Sequence, residues 1–293
     1  MKVLVTGAGG QLGRAVRKAA SGREFDCIFT DVVSGDDIVA LDVTDRDAVR
    51  EFLLMHKVDA VVNCAAYTDV NAAEDNEEKA SLINSYAPSV MAEAVRDAGA
   101  VLVHISTDYV FGGQKNTPYS EDDEPMPLNA YARTKLAGER AVMASGCSYV
   151  ILRTAWLYSC AGRNFFNTVV ERTAEQPSMK VVVDQVGTPT YAMDLADAIL
   201  TILECGVHGR EGVYNYTGEG VCSWYDFAVA IRDGVGHICN ITPCFTDDFP
   251  SKAVRPHYSV LNKSRVKRVF GLDIPHWTEA LKMCILDYNN ING

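Results

Sequence analysis

The chain has 293 residues, and 48% of them are hydrophobic, which is enough for one large domain or two smaller domains with a substantial core. Its 27 basic and 38 acidic residues give a formal net charge of −11, which argues against binding to nucleic acid or to an anionic membrane surface. Because the sequence also lacks a signal peptide and any apolar run of membrane-spanning length, we expect a soluble, unprocessed protein.

In the first half of the chain, short β-branched runs alternate with amphipathic stretches. Strands are predicted over residues 2–6, 27–30, 38–40, 60–63, 101–106 and 150–154. Helices are predicted over 11–20, 44–56 and 73–98, and Pro88 is expected to kink the last of these. Such alternation predicts an α/β fold with a doubly wound, Rossmann-type parallel sheet covered by helices on both faces.

The second half is less regular. Residues 112–129 are polar, acidic and rich in Pro and Gly, which predicts a surface loop before a helix that begins near Ala130. Strands then follow over 181–184 and 213–216, and helices over 193–204, from Ser223 and over 276–289. We predict a dinucleotide-binding domain over 1–155, to which segments near 181–216 return. A smaller, interleaved C-terminal domain over 156–293 would mainly bind substrate.

Nine cysteines, an odd number, are scattered through the predicted strands and helices, which favours buried thiols in a reducing compartment over a disulfide framework. We therefore expect a cytoplasmic protein. His237, Cys239 and Cys244 come nearest to a metal-binding cluster, but their spacing matches no zinc pattern. We therefore expect no metal site.

Gly7, Gly10 and Gly13 follow the first strand and open the first helix. Glycines at this spacing permit a tight turn and let backbone amides approach a pyrophosphate at the positive end of the helix. Asp31 ends the second strand, where an acid accepts hydrogen bonds from an adenosine ribose and favours NAD over NADP, although it could also be an ordinary turn residue. Arg14 is the nearby residue that could reverse this preference.

Asp42 and Val43 follow the third strand. The carboxylate could bind an adenine amino group while the valine covers the ring. An equally good interpretation is that Asp42 is an acid at the N-terminus of the next helix.

Tyr131 and Lys135 are four residues apart on a predicted helix and therefore share one face. Thr107 supports a catalytic role for this pair, because it follows the fifth strand at the edge where parallel sheets bind ligands. Hydride reduction of a ketone creates an alkoxide that must be protonated. A phenol can donate that proton, an ammonium stabilises the tyrosinate left behind, and a hydroxyl can bind the carbonyl oxygen. The alternative is an exposed helix pair without a catalytic role.

In this order, the motifs resemble the extended short-chain dehydrogenase/reductases, and within them the family of dTDP-4-dehydrorhamnose reductases. The matching blocks cover nearly the whole chain: TGAGGQLG at 6–13, LDVTD at 41–45, NCAAYTDVNAAE at 63–74, HISTDYVF at 104–111, LNAYARTKLAGE at 128–139, RTAWLY at 153–158, DQVGTPT at 184–190 and RPHYSVLN at 255–262. The resemblance implies reduction of dTDP-4-dehydro-L-rhamnose to dTDP-L-rhamnose for surface polysaccharide. NADPH or NADH would donate the hydride, and the enzyme would be an oxidoreductase acting on a CH–OH group.

Residue by residue, the resemblance implies three sets of side chains. The catalytic set is Thr107, Tyr131 and Lys135. The cofactor set is Gly7, Gly10, Gln11, Leu12, Gly13, Asp31, Asp42, Val43, Ala66, Tyr67, Thr68, Ile105, Tyr131 and Lys135. The set for the dTDP-4-keto-6-deoxy sugar is Thr107, Asp108, Tyr109, Trp156 and Arg255, with Arg255 on the pyrophosphate.

Some features separate this chain from its neighbours. Dehydratases that resemble it carry an Asp-Glu pair after the catalytic Thr, whereas Tyr109 follows Asp108 here, which favours reduction over dehydration. Asn71 stands where many relatives have Asp. The first helix has no acid near Ala15, so nothing supports the metal-bridged dimer of some relatives, and a homodimer of another kind stays open.

Two other functions stay open. The chain could be a reductase or epimerase of another nucleotide sugar. It could also be a non-catalytic dinucleotide-binding protein, because a regulatory subunit of methionine adenosyltransferase resembles these reductases. The intact Thr107, Tyr131 and Lys135 argue against the second alternative.

Overall fold

The computed structural model describes residues 1–292. Its strands are β1 (Lys2–Thr6), β2 (Asp26–Asp31), β3 (Ile38–Ala40), β4 (Ala60–Asn63), β5 (Val101–Thr107), β6 (Ser148–Thr154), β7 (Leu157–Tyr158), β8 (Ser178–Val182), β9 (Val186–Gly187), β10 (Thr190–Tyr191), β11 (Gly212–Asn215), β12 (Cys222–Ser223) and β13 (Asn240–Cys244). Its α-helices are α1 (Gln11–Ala20), α2 (Arg46–His56), α3 (Val70–Asp75), α4 (Glu77–Ser81), α5 (Ala87–Ala98), α6 (Ala130–Ala144), α7 (Phe165–Glu175), α8 (Ala192–Cys205), α9 (Trp224–Val235), α10 (Ser264–Phe270) and α11 (Trp277–Asn292).

Seven strands form one parallel sheet in the order β11-β6-β5-β4-β1-β2-β3. The direction of winding reverses between β1 and β4, and ligands bind at such a reversal, beyond the carboxyl ends of the strands. The predicted α/β fold with a doubly wound parallel sheet is therefore confirmed.

Helices cover both faces of the sheet, and alternate strand residues point into one helix layer or the other. Val3 and Val5 pack into the apolar cluster that includes α1 and α8. Leu4, between them, packs into the cluster that includes α2 and α5. These two helix layers hold the sheet rigid and fix the positions of the loops at its carboxyl edge.

A third apolar cluster lies outside the sheet and includes Phe166 of α7, Phe227 of α9 and Leu281 of α11. Three two-stranded sheets accompany it, which pair β7 with β10, β9 with β12 and β8 with β13. Within the segment 181–216, α8 packs against α1 and β11 extends the main sheet, whereas β8 pairs outside it.

The helix predicted over 73–98 is wrong as one kinked element. The structure starts α3 at Val70, ends it at Asp75, and continues through α4 and a π-turn, Leu82–Tyr86, before α5. Pro88 occupies the first turn of α5, directly after the π-turn, so the helical ladder is irregular in the turn that leads into the proline.

Helix α2 begins at Arg46 and not at residue 44 as predicted, because Asp45 is its N-cap. The Asp45 side chain accepts a hydrogen bond from Ala48 N at 3.0 Å. Helices α7 and α10 were not predicted. Among residues 1–292, no helix combines the length and the apolar character needed to cross a bilayer.

Candidate active site

A cavity of about 570 Å³ opens at the carboxyl edge of the sheet. It is lined by residues that follow β1, β4, β5 and β6, the strands on either side of the winding reversal. Most of the predicted site residues meet here. The residues of the cofactor set that line this cavity are Gly10, Gln11, Leu12, Ala66, Thr68, Ile105, Tyr131 and Lys135. Those of the sugar set are Thr107, Asp108, Tyr109 and Trp156.

The glycine loop after β1 is shaped for close backbone packing. Gly7 has a φ of +64°, and a Cβ there would lie 2.7 Å from Ala65 N. A Cβ on Gly13 would lie 2.3 Å from Gly7 O. Gly10 is the N-cap of α1 and offers no side chain to the first amides of the helix, so these amides are left for an anion. The loop fits the pyrophosphate of a dinucleotide.

Asp31 lies beside this loop and accepts a hydrogen bond from Gly9 N at 2.9 Å. Among the described residues, it forms no ion pair with an arginine or a lysine. Arg14 lines the cavity, but its Nε donates to Gly9 O at 2.8 Å. The carboxylate thus stands uncompensated at the end of β2, where a ribose would lie.

Asp42 and Val43 do not line the cavity. Asp42 is exposed, and its Oδ1 accepts hydrogen bonds from Thr44 N at 2.8 Å and Thr44 Oγ1 at 2.7 Å. Val43 is buried in the core beneath the sheet. The structure thus gives Asp42 the alternative place, an acid that orders the turn before α2, and an adenine contact stays a prediction.

The segment after β4 is held by a residue that the sequence analysis did not identify. Asn84 is buried in the π-turn, and its side chain accepts from Tyr67 N at 2.9 Å and donates to Tyr67 O at 3.0 Å. This two-sided contact fixes the backbone of Tyr67 and presents its neighbours Ala66 and Thr68 to the cavity. A lone Asn within a helical pattern gave no signal of such a contact.

Thr107, Tyr131 and Lys135 converge where β5 meets α6. Asn129 caps α6 by accepting from Ala132 N at 2.8 Å, and the helix directs Tyr131 and Lys135 toward the strand end. The side chains of Thr107 and Tyr131 line the same cavity, and Thr107 Oγ1 donates to Asp108 Oδ1 at 3.1 Å. Lys135 Nζ donates to Ile105 O at 2.5 Å. The three groups therefore surround one point at which a carbonyl oxygen could bind.

Burial controls the protonation of these groups. It raises the pKa of Tyr131 to about 12, so the phenol carries its proton at neutral pH. It lowers the pKa of Lys135 to about 8, and Glu139 on the next turn opposes that fall. At neutral pH the site therefore holds a protonated acid beside an ammonium, which is the state that proton donation requires.

Asp108, Tyr109 and Trp156 also line this cavity. Burial raises the pKa of Asp108 to about 7, although Thr107 Oγ1 donates to Asp108 Oδ1 at 3.1 Å. The rings of Tyr109 and Tyr131 meet edge to face, with centroids 6.2 Å apart. Trp156 stacks on Trp224, a residue that sequence analysis missed because nothing in its local pattern distinguishes it from a core aromatic.

Arg255 lines a second cavity, of about 330 Å³, and not the first. It shares this cavity with two further cations, Arg172 and Lys180, and with apolar rings such as Phe165. Trp224 lines both cavities, so they adjoin. Burial raises the pKa of Tyr109, which lines the first cavity, and the positive charge of Arg255 opposes that rise.

Among residues 1–292, no group of three or more His, Cys, Asp and Glu side chains is placed to hold a metal ion. All nine cysteines are free thiols.

Comparison with known proteins gives a consistent family. Residues 1–290 match the family model described as RmlD substrate binding domain. A dTDP-4-dehydrorhamnose reductase of Mycolicibacterium smegmatis is 40% identical over 96% of this chain and 84% of its own. A protein of Streptomyces antibioticus named probable dTDP-4,6-dihydroxy-2-methyloxan-3-one 4-ketoreductase is 42% identical over 98% and 95%. The crystal structure of dTDP-4-dehydrorhamnose reductase from Bacillus anthracis in complex with NADP superposes with a TM-score of 0.90, at 34% identity over 98% and 99%.

Proposed function

Because the chain belongs to the family of dTDP-4-dehydrorhamnose reductases, we propose that it reduces the C4 ketone of dTDP-4-dehydro-L-rhamnose to the alcohol of dTDP-L-rhamnose. The observation that carries this proposal is the convergence of Thr107, Tyr131 and Lys135 beside a glycine loop shaped for a dinucleotide. The enzyme is an oxidoreductase that acts on a CH–OH group and uses NADH or NADPH. When bound, the reduced nicotinamide supplies the hydride.

The residues of the chain divide the cofactor between them. Backbone amides of Gly10, Gln11 and Leu12 hold the pyrophosphate at the start of α1. Asp31 binds the adenosine ribose. The segment Ala66 to Thr68, Ile105 and Lys135 hold the nicotinamide end, with the Tyr67 backbone fixed by Asn84.

The proton comes from Tyr131. Its phenol and the Thr107 hydroxyl together bind the ketone oxygen, and Tyr131 gives its proton to that oxygen as the carbon accepts hydride. The Lys135 ammonium, buried beside it, stabilises the tyrosinate that remains. The sugar ring lies between Asp108, Tyr109 and Trp156.

The nucleoside diphosphate lies in the second cavity. Arg172, Lys180 and Arg255 supply three positive charges there, which a chain of net charge −11 needs in order to bind a dianion. Phe165 and Phe249 offer apolar surface for the base. In this arrangement residues 1–155 carry the cofactor, and residues 156–293 supply most of the contacts to the substrate.

Cofactor consumption tests the function. The purified chain is mixed with dTDP-4-dehydro-L-rhamnose and NADH or NADPH, and loss of reduced nicotinamide absorbance is followed. Tyr131→Phe should lower kcat by about 10²–10⁴-fold, a much larger change than that in the dissociation constant of the cofactor. Tyr86→Phe, at an exposed phenol, is the control. An active Tyr131→Phe would disprove the mechanism. Cofactor binding without consumption, together with an altered activity of a partner enzyme, would favour a regulatory protein.

A second candidate is reduction of a different dTDP-4-keto-6-deoxy sugar. It is favoured by the 42% identity to the Streptomyces antibioticus protein named as a 4-ketoreductase. Comparing kcat/KM over several dTDP-4-keto sugars separates the two, because the preferred substrate has the highest value.

We also propose that the protein works in the cytoplasm, in keeping with nine free cysteines, and that it forms a homodimer. Light scattering during gel filtration measures the oligomer. A mass of one chain would disprove the dimer, and a dimer that dissociates with a chelator would show a metal bridge.

A further inference from the structure

A buried ionic group lies behind the candidate catalytic residues. Glu139 of α6 is fully buried, and Arg153 of β6 is buried against it. Arg153 Nε donates to Glu139 Oε1 at 2.9 Å, and Arg153 Nη2 donates to Glu139 Oε2 at 2.7 Å. This is a two-pronged, fully desolvated pair. Since well-packed apolar residues usually serve stability at least as well as such a pair, its presence calls for another reason.

The carboxylate of Glu139 also reaches the strand that carries Thr107. Ser106 Oγ donates to Glu139 Oε1 at 2.5 Å. One helical turn earlier, Lys135 Nζ donates to Ile105 O at 2.5 Å. Helix α6 is thus fastened to two consecutive residues of β5 directly before Thr107. These contacts set the distance between the helix that carries Tyr131 and the strand end that carries Thr107.

Glu139 is also the carboxylate that acts on the charge of Lys135. The two residues lie on one face of α6, four positions apart. Burial lowers the pKa of Lys135, and the negative charge of Glu139 raises it. The other titratable groups on α6, on β5, on the turn after β5 and on β6 are Tyr131, Arg133, Arg140, His104, Asp108, Tyr109, Tyr149 and Arg153. His104 is uncharged there, because burial and Lys135 hold its pKa well below the usual range.

We propose that Glu139 is a positioning residue that joins β5 to α6 through Ser106 and keeps Lys135 charged for the reaction. Arg153, through its two hydrogen bonds, holds the carboxylate in one orientation. The inference rests on the proposed function only in giving the charge of Lys135 a catalytic purpose. The contacts and the charge effect themselves can be measured without substrate.

The charge effect is tested on the free protein with NMR of isotope-labelled lysine. Glu139→Gln alone would leave Arg153 buried and unpaired, so the variant to use is Glu139→Gln with Arg153→Met, which removes both charges. The lysine resonance that is absent from the NMR spectrum of Lys135→Met is assigned to Lys135. We expect its titration midpoint to fall by about one pH unit in the double variant. Glu204→Gln, which removes a carboxylate from a surface ion pair, should leave the midpoint unchanged. An unchanged midpoint in the double variant would overturn the charge role.

The positioning role has its own variant, which keeps every charge and is expected to fold. Ser106→Ala removes the hydrogen bond to Glu139, so the rate of cofactor oxidation in a single turnover should fall about tenfold. The titration midpoint of Lys135 should stay at its wild-type value. A wild-type rate would overturn the positioning role. If the wild-type protein consumes no cofactor with any sugar nucleotide while the Lys135 midpoint still falls in the double variant, then the proposed function fails and the charge role stands.

Discussion

The indole rings of Trp156 and Trp224 stack face to face, with centroids 3.6 Å apart and planes inclined by 9°. Trp156 has a φ of +49°, which a bulky residue rarely adopts, and its ring lies so close to Gly187 that a Cβ there would come within 2.7 Å of it. The stack and the glycine together hold Trp156 in place at the wall of the first cavity. Trp224 thus shapes the proposed sugar site from the second half of the chain.

Trp224→Ala should therefore raise the KM for the nucleotide sugar more than it lowers kcat. An aromatic pair of this kind contributes about 0.5–1.5 kcal/mol, which corresponds to a KM about two- to tenfold higher. Trp224→Phe keeps a ring to stack on and should stay near the wild-type KM. Steady-state kinetics with varied sugar nucleotide measures both. Equal KM values for the two variants would show that stacking does not hold Trp156.

Cofactor choice depends on Asp31. Its uncompensated carboxylate would repel the 2'-phosphate of NADPH, so Asp31→Ser should raise the ratio of kcat/KM for NADPH to that for NADH by about tenfold or more. Asp42→Asn is the matched control, because Asp42 is exposed outside the cavity and adenine is common to both cofactors. A ratio that stays constant in Asp31→Ser would place the adenosine ribose elsewhere.

Local patterns account for what could be predicted from the sequence. The strands of the first half and the loop of Gly7, Gly10 and Gly13 were readable because each depends on neighbouring residues. The spacing of Tyr131 and Lys135 also placed both on one helical face, and the structure brings both into the cavity.

Features that arise from packing between distant segments could not be predicted from the sequence. The helical periodicity from 73 to 98 continues through the break at Asn76 and through the π-turn, so it could not reveal where the chain turns. The contact of Asn84 with Tyr67 and the stack of Trp224 on Trp156 join residues far apart in the sequence. The second cavity likewise forms from five separate stretches of chain.

Arg255 offers a prediction about substrate charge. Its guanidinium donates to Ser251 and, at 3.3 Å each, to Ala253 O and Asn71 Oδ1, and among the described residues it pairs with no carboxylate. Asn71→Asp would place a negative charge beside it and compete with the substrate diphosphate. We expect the KM for the nucleotide sugar to rise about tenfold, with a smaller change in kcat.

Asn71→Ala separates charge from tethering, since Asn71 Oδ1 also accepts from Ser251 Oγ at 3.0 Å and Ala253 N at 3.3 Å. The alanine variant loses these contacts without adding charge and should show the smaller rise in KM. If both variants raise KM equally, the loss of the tether and not the added charge is responsible.

Asp108 makes the stability of the fold depend on pH. Its pKa is about 7 in the buried site, against about 3.9 in an unfolded chain, so between these values the folded protein holds a proton that the unfolded chain has released. Stability from this group is therefore greatest at low pH and falls as pH rises from about 4 to about 7, by up to about 4 kcal/mol. Asp108→Asn cannot ionise and should lose this dependence, while its amide oxygen can still accept from Thr107 Oγ1.

Urea unfolding near pH 5 and near pH 8 measures the effect. Relative to wild type, Asp108→Asn should be more stable at the higher pH than at the lower pH. At the higher pH only the wild type must bury a charge or retain a proton that the solution would remove. Asp247→Asn, at an exposed acid, should differ from wild type by the same amount at both values. A difference for Asp108→Asn that does not change with pH would mean that Asp108 ionises in the folded protein as easily as in the unfolded chain.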